Sequence, residues 1–450
     1  MGVARRLRGE LPRLLVYGAL GAGALVWLAP FADQRVAIEP RRGAPVSATP
    51  LRFVDPPAAS AAAPSANAAV EAEIGADGAR PRGIVLFIGD GMGFSQVHAA
   101  RLHHVGPDGL LRMERMPVVG WHHTHSARSI YTDSAAGATA LSTGVKTLPG
   151  RIAVDPDGAP LTTLVESARA RGLATGLITD SALFDATPMA FAVQVSHRRE
   201  VQTIVNRLPA AGVDLLIGGY DPAWSARLDP VPDVVFDEAG YAVARDWPTF
   251  LRQADDGAAR QVGLLPLDAL PGAAEPSLAT VTRHALERLM RDPDGFFLLV
   301  ETEETDTGGH NENTRQVIDG VLALDAAIAA ALETIDAAGD EVLVLVTADH
   351  ETGGLALLTG SAIAPLGVRY ATGNHTAEPV PIFARGPGAA RFGAVLDNTE
   401  VGRRMAALLL PVGTAGGEAL EEAAVGGIGD GIEVGADDLA GAEAAGGALR

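Results

Sequence analysis

The segment Ile84-Val85-Leu86-Phe87-Ile88-Gly89-Asp90-Gly91 joins an unbroken apolar run to a turn that carries a carboxylate. An apolar run without polar alternation indicates a strand that is buried on both faces. Outward from this segment, similar strand patterns alternate with helix patterns. The alternation predicts an α/β fold, with a mostly parallel central sheet and helices on both faces. Further strands are predicted at 174–179, 213–217, 296–300, 342–346 and 380–384, and helices at 161–171, 278–291, 317–338 and 400–410.

The 450 residues divide by composition into four segments. The first begins with several arginines and continues with an apolar run at 14–29, which is typical of an exported protein and could serve as a membrane tether. We therefore expect a periplasmic or extracellular location. In chain order the segments are an export signal or N-terminal membrane anchor (1–32), an Ala/Pro-rich flexible linker (33–82), the main α/β domain (83–410, with an irregular insertion at 220–270) and an acidic Gly/Ala-rich disordered tail (411–450).

The net charge of −20 argues against nucleic acid as a partner, because a polyanion repels an acidic protein. The same charge repels anionic substrates, so any phosphate chemistry depends on metal ions or arginines close to the reacting group. The chain has no cysteine, which excludes disulfides, zinc–thiolate sites and thiol catalysis.

The stretch Tyr131-Thr132-Asp133-Ser134-Ala135-Ala136-Gly137-Ala138-Thr139-Ala140 places one serine beside one aspartate, ahead of a run of small residues. The alanine-rich run favours a helix, so Ser134 is predicted at or near a helix N-terminus. Free backbone N–H groups at such an end favour an anion. Ser134 is therefore a candidate nucleophile towards a phosphate, and the alternative is an ordinary N-cap serine.

Acidic and histidine residues follow the predicted strands repeatedly, and in open α/β sheets ligands bind beyond the carboxyl ends of the strands. Asp306 and His310 are spaced to share one face of a helical turn, whereas adjacent Asp349 and His350 could converge on one metal only from a bend. Carboxylates and imidazoles suit zinc, and oxygen ligands suit magnesium. The candidate ligands are Asp90, Glu301, Asp306, His310, Asp349, His350 and His375.

Two other motifs invite functional interpretations that the sequence does not support, and in the first of them Asp90 fits better as a cation ligand. Gly89-Asp90-Gly91-Met92-Gly93 lacks the third glycine of a dinucleotide-binding loop and places a carboxylate where a pyrophosphate would lie. The cluster His122-His123-Thr124-His125 has no accompanying carboxylate at a strand end and is predicted to be a solvated strand or loop.

Taken together, these motifs resemble the alkaline phosphatase family from about residue 83 to residue 410. Thr132-Asp133-Ser134-Ala135-Ala136 is similar to the family's nucleophile motif, and Ser142-Thr143-Gly144-Val145-Lys146-Thr147 follows it as in family members. Thr347-Ala348-Asp349-His350-Glu351-Thr352-Gly353-Gly354 resembles a second motif. Asp185-Ala186-Thr187-Pro188, with Arg198 beyond it, resembles a third.

The resemblance implies a homodimeric phosphomonoesterase with two zinc ions and one magnesium ion. Ser134 would attack phosphorus to form a phosphoserine, which water then hydrolyses. Arg198 and Asp185 would bind the substrate phosphate, and Asp133 would help to position Arg198. By the resemblance, one zinc is bound by Asp306, His310 and His375, the other by Asp90, Asp349 and His350, and magnesium by Asp90, Thr187 and Glu301.

One departure and two alternatives accompany this resemblance. Thr307 stands where several bacterial members have a basic residue, which leaves the identity of the third metal open. A phosphodiesterase on the same fold is the nearest alternative, but such enzymes usually have a threonine nucleophile. A non-catalytic protein that binds phosphate or metal is the alternative from another class, and the competent residues at every ligand position argue against it.

Overall fold

The computed structural model describes residues 80–255, 257–266, 276–358 and 366–409. The predicted export signal or anchor, nearly all of the predicted linker and the predicted acidic tail lie outside these residues. None of the helices in the described ranges combines the length and apolar character that a membrane span requires.

The secondary structure follows the predicted alternation of strands and helices. The strands are β1 (Gly83–Gly89), β2 (Val118–His123), β3 (Ala174–Ala182), β4 (Leu215–Tyr220), β5 (Ala242–Ala244), β6 (Gln261–Pro266), β7 (Phe296–Thr302), β8 (Val342–Thr347), β9 (Glu351–Thr352), β10 (Ala356–Leu357), β11 (Val368–Arg369), β12 (His375–Thr376), β13 (Val380–Arg385) and β14 (Val395–Asp397). The helices are α1 (Phe94–His104), α2 (Ser134–Thr143), α3 (Leu164–Ala170), α4 (Ala186–Met189), α5 (Val201–Ala211), α6 (Pro222–Ser225), α7 (Pro232–Glu238), α8 (Trp247–Asp255), α9 (Leu278–Leu289), α10 (Glu304–His310), α11 (Thr314–Ala338) and α12 (Asn398–Leu409), with short 3₁₀ turns at Met113–Arg115 and Ala389–Phe392.

Ten of the described strands form one sheet in the order β14-β2-β13-β8-β1-β7-β3-β4-β6-β5. β13 runs antiparallel to both of its neighbours, β2 and β8, and the other pairs in this sheet are parallel. The prediction of a mostly parallel central sheet is confirmed. β1, whose sequence suggested burial on both faces, lies near the middle of the sheet between β7 and β8.

Side chains that alternate along β1 enter two separate hydrophobic cores. Ile84, Leu86 and Ile88 pack in one core, with residues from α2, α3, α5 and α12. Val85 and Phe87 pack in the other core, with residues from α1, α9 and α11. The sheet is therefore covered by helices on both faces, which explains why the central strands are uniformly apolar.

The described part of the segment 220–270 has regular secondary structure, whereas its sequence was predicted to be irregular. Its described part contains the helices α6, α7 and α8 and the strands β5 and β6. β6 pairs with β4, and β5 pairs with β6, so this segment extends the central sheet to its edge. The sequence pattern was weak because β5 has only three residues and β6 contains a glycine and ends in a proline.

Candidate active site

The candidate site lies beyond the carboxyl ends of four adjacent parallel strands, β8, β1, β7 and β3. Asp349 follows β8 and Asp90 follows β1, whereas Glu301 is the next-to-last residue of β7. Asp349 lies at a bend, as its proposed sharing of a metal with His350 requires. Because neighbouring parallel strands end together, residues far apart in sequence meet at this edge.

Ser134 is the first residue of α2, where the sequence placed it. The N-cap is Asp133, whose carboxylate accepts a hydrogen bond of 3.0 Å from the Ala136 amide. The alternative interpretation of Ser134 as the N-cap is therefore wrong. Ser134 is 5% exposed, and its Oγ lies 3.4 Å from Nε2 of His350. The hydroxyl thus faces the predicted metal ligands from the positive end of a helix.

The first metal group, defined as Asp306, His310 and His375, is brought together by α10 and β12. Nε2 of His310 lies 3.2 Å from Asp306 Oδ2 and 3.1 Å from Nε2 of His375. Nε2 of His375 lies 3.5 Å from Asp306 Oδ1. The three ligand atoms lie close enough together to bind one ion. Asp306 and His310, which are four residues apart on α10, share one face of that helix, as the sequence predicted.

The second metal group, defined as Asp90, Asp349 and His350, is buried, with none of the three more than 3% exposed. Nε2 of His350 lies 3.4 Å from Asp90 Oδ1 and 3.2 Å from Asp349 Oδ2. Ligand atoms of Asp90, Asp306 and His350 also lie within 4.8 Å of one another. Asp306, a member of the first metal group, therefore also lies close to two residues of the second.

The predicted magnesium ligands also lie at this edge of the sheet. The Thr187 hydroxyl, at the start of α4, donates a hydrogen bond of 3.3 Å to Asp90 Oδ2. Glu301 is 3% exposed, and its charge is among the causes that raise the pKa of Asp90. Asp90 thus lies beside both the second metal group and the predicted magnesium ligands.

The carboxylate oxygens and imidazole nitrogens at this site are suited to binding cations. Asp90 Oδ1, Asp349 Oδ2 and Glu301 Oε2 are buried oxygens without a hydrogen-bond partner in the described part of the chain. Burial, reinforced by the nearby carboxylates, raises the pKa of Asp90 and Glu301 well above the ordinary range. Burial and the charge of Asp306 raise the pKa of Asp349 to about 7. Bound cations would stabilise these carboxylates in their ionised form, and oxygen with imidazole ligands suits zinc and magnesium.

The histidines present one ring nitrogen to these groups. Nδ1 of His310 lies 2.8 Å from the Gly373 carbonyl oxygen, and Nδ1 of His375 lies 2.9 Å from that of Thr132. A carbonyl oxygen only accepts, so both Nδ1 atoms carry a proton and Nε2 is the atom left for a metal. A hydrogen bond with Asp306 raises the pKa of His310 to about 9, so a metal must displace a proton there.

Arg198 lies near Asp133, the residue before Ser134. Its Nη2 lies 2.6 Å from Asp185 Oδ1, and its Nη1 lies 3.8 Å from Asp133 Oδ2. Two further hydrogen bonds link the backbone around Arg198 to Gly150 and Asp133. The Arg198 amide donates to the Gly150 carbonyl at 2.7 Å, and the Gly150 amide donates to Asp133 Oδ2 at 2.8 Å. Asp185, predicted to bind substrate, is therefore the close partner of Arg198, and Asp133 acts on it from a greater distance.

Three residues that were assigned no role from the sequence also lie at the site. Thr352 contacts Asp306 and His350 through its hydroxyl. Buried Asp180 accepts hydrogen bonds from the Thr302 hydroxyl at 2.6 Å and the Glu303 amide at 2.9 Å. Burial and nearby carboxylates, Asp185 first, raise the pKa of Glu303 to about 8. Thr352 belongs to the motif at 347–354 and follows the predicted ligand His350 by two residues. This closeness in sequence to a predicted ligand could have indicated that Thr352 lies at the site.

The prediction for the histidine cluster at 122–125 is wrong for its first member. His122 lies in β2 and is fully buried, with Nε2 3.0 Å from Thr347 Oγ1 and 3.1 Å from the Ala348 carbonyl oxygen. His123 and His125 are exposed, as predicted. The alternation of faces along a strand explains why neighbouring histidines differ in burial.

Comparisons of the sequence and of the structure with known proteins both indicate the alkaline phosphatase family. The family model for alkaline phosphatase matches residues 81–214 and 266–368. A streptomycin-6-phosphate phosphatase from Streptomyces griseus is 34% identical in an alignment that covers 80% of this chain and 95% of the relative. An alkaline phosphatase from the Antarctic bacterium TAB5 superposes with a TM-score of 0.66 at 27% identity, covering 73% of this chain and 98% of that one. A variant of the TAB5 enzyme, with the same score, identity and coverage, has magnesium bound in its M3 site.

Proposed function

The chain belongs to the alkaline phosphatase family, and from this we propose that it hydrolyses phosphate monoesters to an alcohol and inorganic phosphate through a phosphoserine on Ser134. The observation that supports the proposal most directly is the position of the Ser134 hydroxyl. It lies at a helix N-terminus, 3.4 Å from His350 Nε2, and Arg198 lies next to the adjacent Asp133. A nucleophile, a phosphate-binding cation and metal ligands therefore meet at one point.

We propose that two zinc ions are bound by the first and second metal groups and one magnesium ion by Asp90, Thr187 and Glu301. When bound, these ions would offset the negative charge of the carboxylates and polarise the oxygens of a phosphate ester. The fit rests on the buried oxygens of Asp90, Asp349 and Glu301, which have no hydrogen-bond partner among the described residues, and on the imidazole nitrogens that face Asp306 and Asp90. Without cations, these crowded carboxylates would repel the substrate.

The residues of this chain then have the following roles. Arg198 binds two phosphate oxygens through its planar guanidinium and turns phosphorus towards Ser134. Oγ of Ser134 forms a bond to phosphorus, the ester P–O bond breaks, and the alcohol leaves with a proton. Water next attacks phosphorus, the bond to Ser134 breaks, and inorganic phosphate is released with the serine hydroxyl restored.

The test compares wild-type protein with Ser134→Ala. Elemental analysis measures zinc and magnesium, and initial rates are measured with an aryl phosphate monoester, an aryl phosphate diester and streptomycin-6-phosphate, the compound named for the Streptomyces griseus relative. We expect two zinc ions and one magnesium ion per chain and a strong preference for monoesters. Ser134→Ala should lower turnover roughly a thousandfold or more, with metal content unchanged.

Ser142→Ala is the matched control, because Ser142 is also a buried serine on α2 and should keep near wild-type turnover. A phosphoryl group detected by mass spectrometry on the peptide that contains Ser134 would support the covalent step. Wild-type turnover in Ser134→Ala would contradict the mechanism. A preference for the diester would indicate a phosphodiesterase, and a metal-bound protein inert towards every ester would indicate a binding protein.

A further inference from the structure

Thr352 lies at the junction of the two metal groups. It belongs to β9 and is fully buried. Its hydroxyl contacts Asp306 Oδ1, in the first metal group, and lies 3.2 Å from Nδ1 of His350, in the second. A single oxygen atom therefore touches one ligand from each group.

The direction of the two hydrogen bonds follows from which atoms can donate. The Asp306 carboxylate, which faces His310 and His375, is an acceptor, so the Thr352 hydroxyl donates its proton to Asp306. The Thr352 oxygen is then an acceptor towards His350, and Nδ1 of His350 must carry the proton. Nε2 of His350 is consequently unprotonated and directs its lone pair towards Asp90, Asp349 and Ser134.

His350 differs in this respect from the other two histidines. Nδ1 of His310 and of His375 faces a backbone carbonyl oxygen, which cannot reverse its role. Among the histidine ligands of the two metal groups, only His350 has its described Nδ1 contact with a side-chain hydroxyl, which can donate or accept. The tautomer of His350 therefore depends on what the Thr352 hydroxyl does with its own proton.

The backbone holds Thr352 in place independently of its hydroxyl. The Thr352 amide donates a hydrogen bond of 3.1 Å to the Gly91 carbonyl, and Thr352 pairs with His375 in the β9–β12 ladder. Gly91 has a φ of +68°, and a Cβ on it would lie 2.8 Å from Thr352 Oγ1. The hydroxyl can thus be removed by substitution while these backbone contacts are retained.

We propose that Thr352 is a positioning residue that fixes the tautomer of His350, orients Asp306 and thereby links metal binding at the two groups. The inference rests on the proposed metal-dependent phosphatase. Partners that orient a ligand in this way typically change metal affinity by about 10- to 100-fold when they are removed. Thr352 touches ligands of both groups, so its loss should weaken zinc binding at both.

The experiment compares Thr352→Val, which keeps the shape and removes the hydroxyl, with Thr352→Ser, which keeps the hydroxyl. Zinc affinity is measured on metal-depleted full-length protein by competition with a chromophoric chelator. ¹⁵N NMR of labelled histidine reports which nitrogen of His350 carries the proton. Valine should weaken zinc binding by about 10- to 100-fold at both groups and should change the His350 tautomer, whereas serine should stay close to wild type.

Thr147→Val is the matched control, because Thr147 is fully buried and its hydroxyl has no hydrogen-bond partner in the described residues. Thr352→Ala is a second variant without the hydroxyl, so the conclusion does not depend on the folding of one protein. Unchanged zinc affinity in both variants would overturn the proposal, and so would weaker zinc binding with an unchanged His350 tautomer. Wild-type protein that binds zinc but hydrolyses no ester would overturn the proposed function and leave the role of Thr352 standing.

Discussion

Asp133 shows how one residue of this chain serves several parts of the site. One carboxylate oxygen caps α2 through the Ala136 amide, and the other accepts from the Gly150 amide and faces Arg198. The helix start, the Gly150 loop and the guanidinium are therefore held relative to one another by a single side chain. Because Ser134 is the next residue, this arrangement also positions its hydroxyl.

Arg198→Ala should weaken inhibition by inorganic phosphate by about 10- to 100-fold, since a hydrogen bond to a charged group contributes about 1.5–3 kcal/mol. Burial opposes the charge of Arg198, but Asp185 and Asp133 hold its pKa above the ordinary value, so it is cationic at every working pH. Arg198→Lys should recover only part of the affinity, because an ammonium lacks the planar fork. The inhibition constant against an aryl monoester measures the effect.

Arg199→Ala is the control for this prediction, because Arg199 is the exposed neighbour of Arg198. Its phosphate inhibition constant should match wild type. Equal constants for wild type and Arg198→Ala would remove Arg198 from the phosphate-binding site.

At the scale of elements, close packing between segments decides the shape of the site. α2 can approach the Asp349 bend because residue 137 is glycine, where a Cβ would lie 2.8 Å from the Asp349 carbonyl oxygen. The β9–β12 ladder pairs Thr352 with His375 and so brings one ligand of the first metal group to the second. Strand β2 also contributes, because His122 supports the chain just before Asp349.

His122 should make the stability of the protein depend on pH. Burial lowers its pKa to about 4, against an ordinary value of about 6.5. Between these pH values the side chain of His122 binds a proton in the unfolded chain but not in the folded protein. The stability associated with neutral, buried His122 is therefore fully present above pH 6.5 and is lost as pH falls from 6.5 through 4. The free energy of unfolding should fall by about 2 kcal/mol between pH 7 and pH 5 on this account.

Urea denaturation of metal-depleted protein at both pH values measures this contribution as a difference between variants. His122→Gln should lose less stability than wild type over this interval, whatever its stability at pH 7. His123→Gln makes the same change at an exposed position of β2 and should retain the wild-type dependence. Equal pH dependences in wild type and His122→Gln would show that His122 does not titrate in the folded protein as expected.

At the scale of the whole molecule, one sheet serves both stability and chemistry. The apolar middles of the central strands fill two cores, and their carboxyl ends carry the candidate ligands. The candidate ligands thus lie together at the carboxyl ends of these strands, where burial and mutual repulsion raise the pKa of Asp90 and Glu301. The cores must hold this edge together against the repulsion between its carboxylates.

Phe87→Ala should destabilise the protein by about 3–5 kcal/mol, because Phe87 is fully buried in β1 and its removal leaves a cavity between strand and helices. The midpoint of urea unfolding should fall without a change in the slope. Phe94→Ala makes the same change at a residue that is 47% exposed and should cost less than about 1 kcal/mol. Similar losses for the two variants would contradict the assignment of Phe87 to the core.

The local features of this protein could be predicted from its sequence. The apolar runs at 84–88, 296–300 and 342–346 predicted central strands because a strand buried on both faces needs uninterrupted apolar residues. The helix start at Ser134 and the shared helical face of Asp306 and His310 depend only on residues within a few positions of one another. The edge strand β5 and its neighbour β6 escaped prediction, because the pairing of β6 with β4 and of β5 with β6 compensates for a weak local pattern.

By itself, then, the sequence determined the apolar central strands, the longer helices and the residues that stand at strand ends, because these depend on short-range periodicity and hydrophobic burial. Only the tertiary structure decided that Arg198 pairs most closely with Asp185, that His122 is buried, and that Thr352 joins Asp306 to His350. Each of these depends on the distance between side chains from different elements. Such distances are set by strand order and helix packing, which no local pattern encodes.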